Sequence, residues 1–352
     1  MWVGFLAYLG MLWATPRLGR RIVWGAIVLF VAGFAIAPVL LSHDVYSYVD
    51  YARLGVQHGL DPYVHPPLAA PEDPAYAEVT WTEATSAYGP LFTLATYPLA
   101  WLPVGTAVAA LKALATLSVL GLALIASRLA GARGVDPLRA AAFVALNPLV
   151  LVHVVGGAHN DGLTMLLAML AVAAILSGRN LSGGAALVAA VATKASAAFL
   201  APFALLGSTR RSRFLIGGLG AALVIGAAAY LSFGWDWLNG FGLAGENQDR
   251  TSYMSIPITT ARLTGLDPDA VRFAAAILFA LTVAYLLTWT WRGGDWIRAA
   301  AWTAMALLLA TAWLLPWYLI WLLPLSAISR DRPLQLLTLS LTAYQLGARI
   351  PL

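Results

Sequence analysis

"LLSHDVYSYVDYARLGVQHGLDPY" runs from Leu40 to Tyr63. It carries three acids, two histidines, four tyrosines and one arginine, directly after the apolar run 22–41. That run has the roughly 20 residues that cross a bilayer as a helix. The quoted stretch therefore reads as the place where a chain leaves a membrane, and the polar cluster needs a reason to sit there.

The rest of the chain repeats the apolar half of this pattern. Of its 352 residues, 61% are hydrophobic and 11% charged, with a mean hydropathy of +0.78. A soluble domain carries about 25% charged residues. Apolar runs lie near 1–14, 22–41, 106–128, 138–156, 161–177, 181–193, 194–206, 214–233, 270–291, 299–314, 316–328 and 334–346. They predict an all-α polytopic membrane protein with 11–12 membrane segments, forming one membrane domain over 1–352. The short pairs 181–193 with 194–206, and 316–328 with 334–346, read as half-helices or tilted helices. The stretch 88–102, "YGPLFTLATYPLAWL", is apolar but holds two prolines. It reads as interfacial or re-entrant, because non-helical backbone at membrane depth survives only inside protein. Met1–Ala14 lacks the charged n-region and small-residue cleavage site of a signal peptide. With no cysteine, disulfides, Cys-ligated zinc and thiol catalysis are excluded.

Charge gives the orientation. Arg17, Arg20, Arg21, Arg128, Arg133, Arg139, Arg179, Arg210, Arg211, Arg213, Arg292, Arg298, Arg330 and Arg332 fall at alternate ends of the apolar runs. By the positive-inside rule those ends are cytoplasmic, which is self-consistent if 88–102 does not span. The opposite side holds a first loop over 42–105 and a second over 234–269. The stretches 42–86 and 234–269 contain twelve of the sixteen acids, but only Arg53, Arg250 and Arg262 among the basic residues. The elaborate acidic and aromatic surface thus faces outside. The net charge of +5 does not point to nucleic acid, because the arginines sit in short inter-helix loops.

Three places in this frame carry chemistry. If Asp44 opens a helix, Tyr48 and Tyr51 follow at i+4 and i+7, with Tyr46, Asp50 and Arg53 on other faces. Capping that helix is the plain structural duty for Ser42 or Asp44. A partly desolvated carboxylate there also suits a general base toward a hydroxyl. In "HGLDPY" (58–63), Asp61 reads as a turn residue between Gly59 and Pro62. The second place is "ALNPLVLVHVVGGAHNDGLTM" (145–165), where His159, Asn160 and Asp161 follow a glycine pair. Asn160 or Asp161 would serve as an N-cap; His159 has no such duty. The third is Lys194, between two short apolar runs. An ionisable residue inside a membrane segment is a functional hypothesis, against snorkelling to the interface. At a hairpin tip, Lys194 would reach the cavity of Asp44 and His159 and suit a phosphate. Lys112 is a weaker analogue. Arg250 and Arg262 are alternative phosphate partners, though exposed loop arginines are commonly just solvated.

No P-loop, GxGxxG, HExxH or GxSxG is present. Asp44 and Asp50 lack the dense oxygen set of a calcium or magnesium site. A transporter or flippase would line a mid-membrane path with charge and pair its broken helices. Here the polar residues collect on one side.

Together, the acid after the first long helix, "DPY" (61–63), "YGPLF" (88–92), "GAHND" (157–161) and "LPWY" (315–318) resemble the integral-membrane glycosyltransferases of the GT-C fold. The pattern is similar to the bacterial polyprenyl-phosphate-mannose-dependent α-1,6-mannosyltransferases, and more distantly to the phosphatidylinositol-mannoside type. The resemblance implies a hexosyltransferase of the cell envelope, multi-pass in the plasma membrane, with its active site extracytoplasmic. A sugar, mannose above all, would pass with inversion from a polyprenyl phosphate to a hydroxyl of a glycan or glycolipid. It implies Asp44 as base, with no cofactor and no metal. Lys194 with Arg250 or Arg262 would neutralise the phosphate. His159, Asn160 and Asp161 would line the sugar or phosphate pocket, and Tyr46, Tyr48, Tyr63, Tyr88 and Trp81 would contact sugars.

Overall fold

The computed structural model describes residues 1–246 and 249–347, and among them there is no strand. Helices α1 (Trp2–Ala14) and α2 (Arg20–Ile36) open the chain. The first long loop carries α3 (Asp44–Gln57) and α4 (Pro90–Thr96). Then come α5 (Val104–Ala132), α6 (Pro137–Ala145) and α7 (Asp161–Leu176), with a π-helical turn, Val150–Val155, between the last two. Next are α8 (Asn180–Thr193), α9 (Ala201–Gly207) and α10 (Arg211–Phe233). The second loop holds α11 (Asn239–Glu246) and α12 (Ile256–Thr264). The chain continues with α13 (Pro268–Trp291), α14 (Trp296–Ala310), α15 (Leu323–Ile328) and α16 (Arg332–Gly347).

Among the described residues, three helices are long and apolar enough to cross a membrane: α5, α10 and α13. Five shorter apolar helical stretches accompany them: α7, α8, 195–207, α14 and 316–328. The outward faces explain the composition. On α13, Phe273, Leu278 and Leu281 are exposed, as are Leu215, Leu219, Leu223 and Leu231 on α10. In water such continuous apolar faces mark interaction surfaces; against hydrocarbon they carry no penalty. The helices close around one interior that includes Val119, Leu122, Met165, Met169, Met305 and Ile320. Where α8 meets α10, a Cβ on Gly184 would overlap the Phe214 carbonyl, and one on Gly217 the Leu181 carbonyl. Small residues at the crossing are what let two membrane helices approach this closely.

Proline moves two boundaries from where hydropathy alone puts them. The run 22–41 is helical only to Ile36, because the residue before Pro38 is pushed out of the α region. The freed carbonyls of Ala37 and Pro38 accept from Lys112 Nζ. Lys112 thus caps the end of α2 and is absent from the cavity described below. The run 138–156 breaks at Asn147-Pro148, where Asn147 Oδ1 accepts the Leu149 amide at 3.0 Å. The stretch 88–102 contains α4, of seven residues, and a five-residue 3₁₀ turn, Tyr97–Trp101. Neither is long enough to cross a bilayer.

Helix α5, with 29 residues, is about 43 Å long at 1.5 Å per residue. It connects two different ends of the bundle. One end holds Arg133, which pairs with Asp295, and Arg298, which pairs with Asp331 at 2.6 Å. The other end holds the two long loops and the candidate site.

Candidate active site

The site is built where two strained turns lie side by side. Leu41 and Ala158 both adopt left-handed backbone, with φ of 63° and 55°. For a residue with a Cβ this costs roughly 1–2 kcal/mol, and such strain gathers at functional sites. The Leu40 amide donates to the Gly156 carbonyl at 3.3 Å, joining the two turns. Downstream of one turn is Asp44, the first residue of α3. Downstream of the other is His159, two residues before α7 begins. Asp44 Oδ2 is 3.6 Å from His159 Nδ1.

The Asp44 carboxylate does not cap its helix. His43 holds the N-cap position, and Asp44 Oδ1 accepts from Trp81 Nε1 at 3.1 Å. Burial pushes the Asp44 pKa above the usual carboxylate range, while Trp81 and Lys194 pull it partly back. His159 is fully buried, and burial lowers its pKa to about 3. At neutral pH it is an uncharged ring beside Asp44, and their contact is not an ion pair. Neither ring nitrogen has a hydrogen-bond partner among the described residues. Its ring stacks on Trp317, with centroids 3.9 Å apart and planes at 18°.

A second arm runs through Asp161. Its side chain is 0% exposed. Lys194 Nζ donates to its two carboxylate oxygens at 2.9 and 2.7 Å, and Trp321 Nε1 donates to Oδ1 at 2.7 Å. A buried charge needs such partners; N-capping does not explain Asp161. Lys194 lies in extended backbone between α8 and the next 3₁₀ turn, as expected for a hairpin tip. Tyr318 stacks on Trp321 at 4.1 Å and 20°, and Lys194 Nζ is 5.5 Å from the Tyr318 ring.

Both arms support the wall of a cavity of about 810 Å³. Asp44, Trp81, Tyr88, Lys194, Arg250, Trp317, Tyr318 and Trp321 line it. Arg250 reaches it over the Trp81 ring, 5.1 Å from the centroid. One carboxylate therefore shares an aromatic-walled space with two cations. Gly89 ties the loop that carries Tyr88 to the end of α8. Its amide donates to the Thr193 carbonyl at 3.1 Å, and a Cβ there would overlap the Ala192 carbonyl. That close approach accounts for "YGP" and sets Tyr88 beside Lys194.

The structure brings Asp44, Lys194, Arg250 and Tyr88 together on the wall, with His159 and Asp161 immediately behind it. It does not bring the other sequence candidates there. Tyr48 is buried edge-on against Tyr88 and Phe92. The Tyr63 hydroxyl donates to the Tyr88 carbonyl at 2.9 Å, and its ring meets Phe233. Tyr46 packs beside His43. Arg262 covers Tyr253, 3.8 Å from its centroid, away from the cavity. Asn160 is buried, and its carbonyl accepts the Thr164 hydroxyl. Asp61 accepts the Tyr63 amide at 2.8 Å, the turn role that its neighbours predict. Sequence reasoning missed Trp317, Tyr318 and Trp321 as wall residues. Their signal was the aromatic spacing in "PWYLIW" (316–321), whose 3₁₀ turn puts Tyr318 and Trp321, three residues apart, on one side.

Asp50, two turns beyond Asp44, is buried, and among the described residues neither carboxylate oxygen has a hydrogen-bond partner. Burial, then repulsion from Asp73, raises its pKa to about 7. Nearby Asp73 is engaged by Arg53 at 2.7 Å and His58 at 2.8 Å. A raised carboxyl pKa means that the folded state holds a proton the unfolded chain releases above about pH 4. The associated stability is full below that pH and is lost as pH rises through 7. Asp50→Asn is expected to raise the unfolding temperature strongly at pH 8.5 and less at pH 5. Equal gains at both pH values would contradict this.

A family model described as "Alpha-(1->6)-mannopyranosyltransferase, N-terminal domain" matches residues 1–210. The chain belongs to this alpha-(1->6)-mannopyranosyltransferase family. It is 29% identical to alpha-(1->6)-mannopyranosyltransferase A of Mycobacterium tuberculosis, over 90% of this chain and 69% of the relative. It is also 29% identical to alpha-(1->6)-mannopyranosyltransferase A of Corynebacterium glutamicum, over 58% of this chain and 45% of the relative. A probable alpha-(1->6)-mannopyranosyltransferase of Mycolicibacterium smegmatis is 31% identical, over 42% and 28%. The chain thus spans about two thirds of the first relative and less than half of the other two. No solved structure matches. The mannopyranosyltransferase family match covers Asp44, Trp81, His159, Asp161 and Lys194; Arg250 and the 315–321 aromatics lie beyond it.

Proposed function

We propose that this protein transfers a mannosyl group from polyprenyl-phosphate mannose to a hydroxyl of a glycan or glycolipid, at the extracytoplasmic face of the plasma membrane. The reading is carried by one observation: Asp44 lines an aromatic-walled cavity in company with Lys194 and Arg250. In the proposed step the acceptor hydroxyl gives its proton to Asp44 and its oxygen attacks the anomeric carbon. The bond from that carbon to the phosphate oxygen breaks, and the polyprenyl phosphate departs with the electron pair. The transition state resembles an oxocarbenium ion, and the leaving group is already an anion, so one carboxylate suffices. Lys194 and Arg250 offset the phosphate charge, which charge-assisted contacts do well. The step draws on no nucleotide and no metal. Aromatic faces at Trp81, Tyr88 and Trp317 offer stacking surfaces for sugar rings.

Direct displacement inverts the anomeric centre. With a β-linked polyprenyl-phosphate mannose and a mannoside acceptor, the expected product is α-linked, read by its anomeric proton signals. Transfer from GDP-mannose at a rate equal to that from the lipid donor would refute the donor assignment, and a β-linked product would refute direct displacement.

A further inference from the structure

The end of the bundle remote from this site carries a second cavity, of about 320 Å³, between the start of α6, the end of α15 and the start of α16. Arg139, Arg330 and Arg332 line it together with Asp136 and Asp331. Both acids are hydrogen-bonded, and Asp331 is also paired with a cation outside the cavity. Asp136 accepts the amides of Leu138 and Arg139 at 2.9 and 3.1 Å. Asp331 accepts from Arg298 Nε at 2.6 Å, Trp302 Nε1 at 2.9 Å and the Leu334 amide at 3.1 Å. Neighbouring Arg133 and Arg298 each have a carboxylate, but among the described residues no ion pair reaches Arg139, Arg330 or Arg332. The lining is therefore net positive: three guanidinium groups face the single carboxylate of Asp136 and an Asp331 already paired with Arg298.

Two further features point to its ligand. Arg330 adopts left-handed backbone, φ 60°, a strained state for a residue with a Cβ. The fold thus holds one of the three arginines at the cavity against a local cost. Leu336 and Leu337, on α16, are 64% and 44% exposed. Leu336 is one turn from Arg332 and so on the same face. A phosphate at the arginines would have apolar surface running away from it along the helix.

We propose that this cavity binds the phosphate headgroup of an anionic phospholipid, with the acyl chains along Leu336 and Leu337. Guanidinium groups suit phosphate through paired hydrogen bonds, and basic pockets between membrane helices select anionic headgroups. The site is separate from the transfer chemistry, and its ligand is a structural lipid.

The test uses the full-length protein in neutral detergent, titrated with phosphatidylglycerol, phosphatidylcholine or inorganic phosphate while the unfolding temperature is followed. Phosphatidylglycerol is expected to raise it saturably, and the other two are not. Arg330→Gly keeps the backbone, because glycine adopts positive φ freely, so this variant should fold at least as well. It is expected to need about tenfold more phosphatidylglycerol for half the effect, the size of a lost charged hydrogen bond. The double variant R139Q/R332Q should lose more. A control, R20Q/R21Q at the start of α2, should respond as the natural chain does. An equal response to phosphatidylcholine, saturation by phosphate alone, or an equal loss in the control would overturn the proposal.

Discussion

Asp44→Asn is expected to lower the transfer rate by about 10²–10⁴-fold, the usual contribution of a positioned general base. Asn keeps the size of the side chain and still accepts a hydrogen bond from Trp81 Nε1, now 3.1 Å away, but it cannot take a proton. Acceptor KM should therefore change much less than kcat. The protein should also fold as before, since Asp44 does not cap α3. The pH profile supplies an independent sign. Burial holds the Asp44 pKa above the ordinary carboxylate range. The base must be ionised to work, so activity should fall as pH drops through that raised value, at a higher pH than for an exposed Asp. In Asp44→Asn this acid limb should vanish from whatever residual rate remains. An unchanged rate would remove Asp44 from the chemistry, and a surviving acid limb would assign that limb to another group.

The second large effect concerns the pair behind the wall. Asp161→Ala leaves Lys194 without its carboxylate partner and Trp321 Nε1 without its acceptor, both now bonded at 2.7 Å. Removing one member of a buried pair typically costs about 3–5 kcal/mol. Thermal unfolding in detergent should show a fall of several degrees. The double variant D161A/K194M should recover most of it, because no uncompensated charge remains. Activity then separates two roles for Lys194. If it holds the donor phosphate, the double variant regains stability while its donor KM stays high. If the pair only braces the wall, activity returns with stability. An unchanged unfolding temperature in Asp161→Ala would show that the pair is not under the burial that the geometry implies.

Some of this was open to reading in the sequence. The apolar runs announced a helical membrane protein, and the placement of acids against arginines separated the two ends. Asp44, His159, Asp161 and Lys194 stood out because each is an ionisable or polar group that an apolar setting does not need. Their pairing was hidden. Nothing in a linear reading says that Lys194 meets Asp161 and not a phosphate alone, or that His159 stacks on Trp317, 158 positions later. Those contacts depend on the crossing of α7 and α8, where a Cβ on Gly183 would meet Ile175, and on the strained turns at Leu41 and Ala158. The tyrosines misled for the opposite reason. Tyr48 and Tyr63 resemble sugar-stacking residues in composition, yet Tyr48 is packed against Tyr88 and Phe92 and Tyr63 against Phe233 of α10. Proline, at positions 38 and 148, shortened two apolar runs that hydropathy alone had joined.

The most direct measurement is single-turnover transfer from radiolabelled polyprenyl-phosphate mannose to a mannoside acceptor by the purified protein, run in parallel for the natural chain and Asp44→Asn. The account predicts labelled acceptor with the natural chain and a rate lower by about 10²–10⁴-fold with the variant. Equal rates from both proteins, or no labelled acceptor from the natural chain, would contradict it.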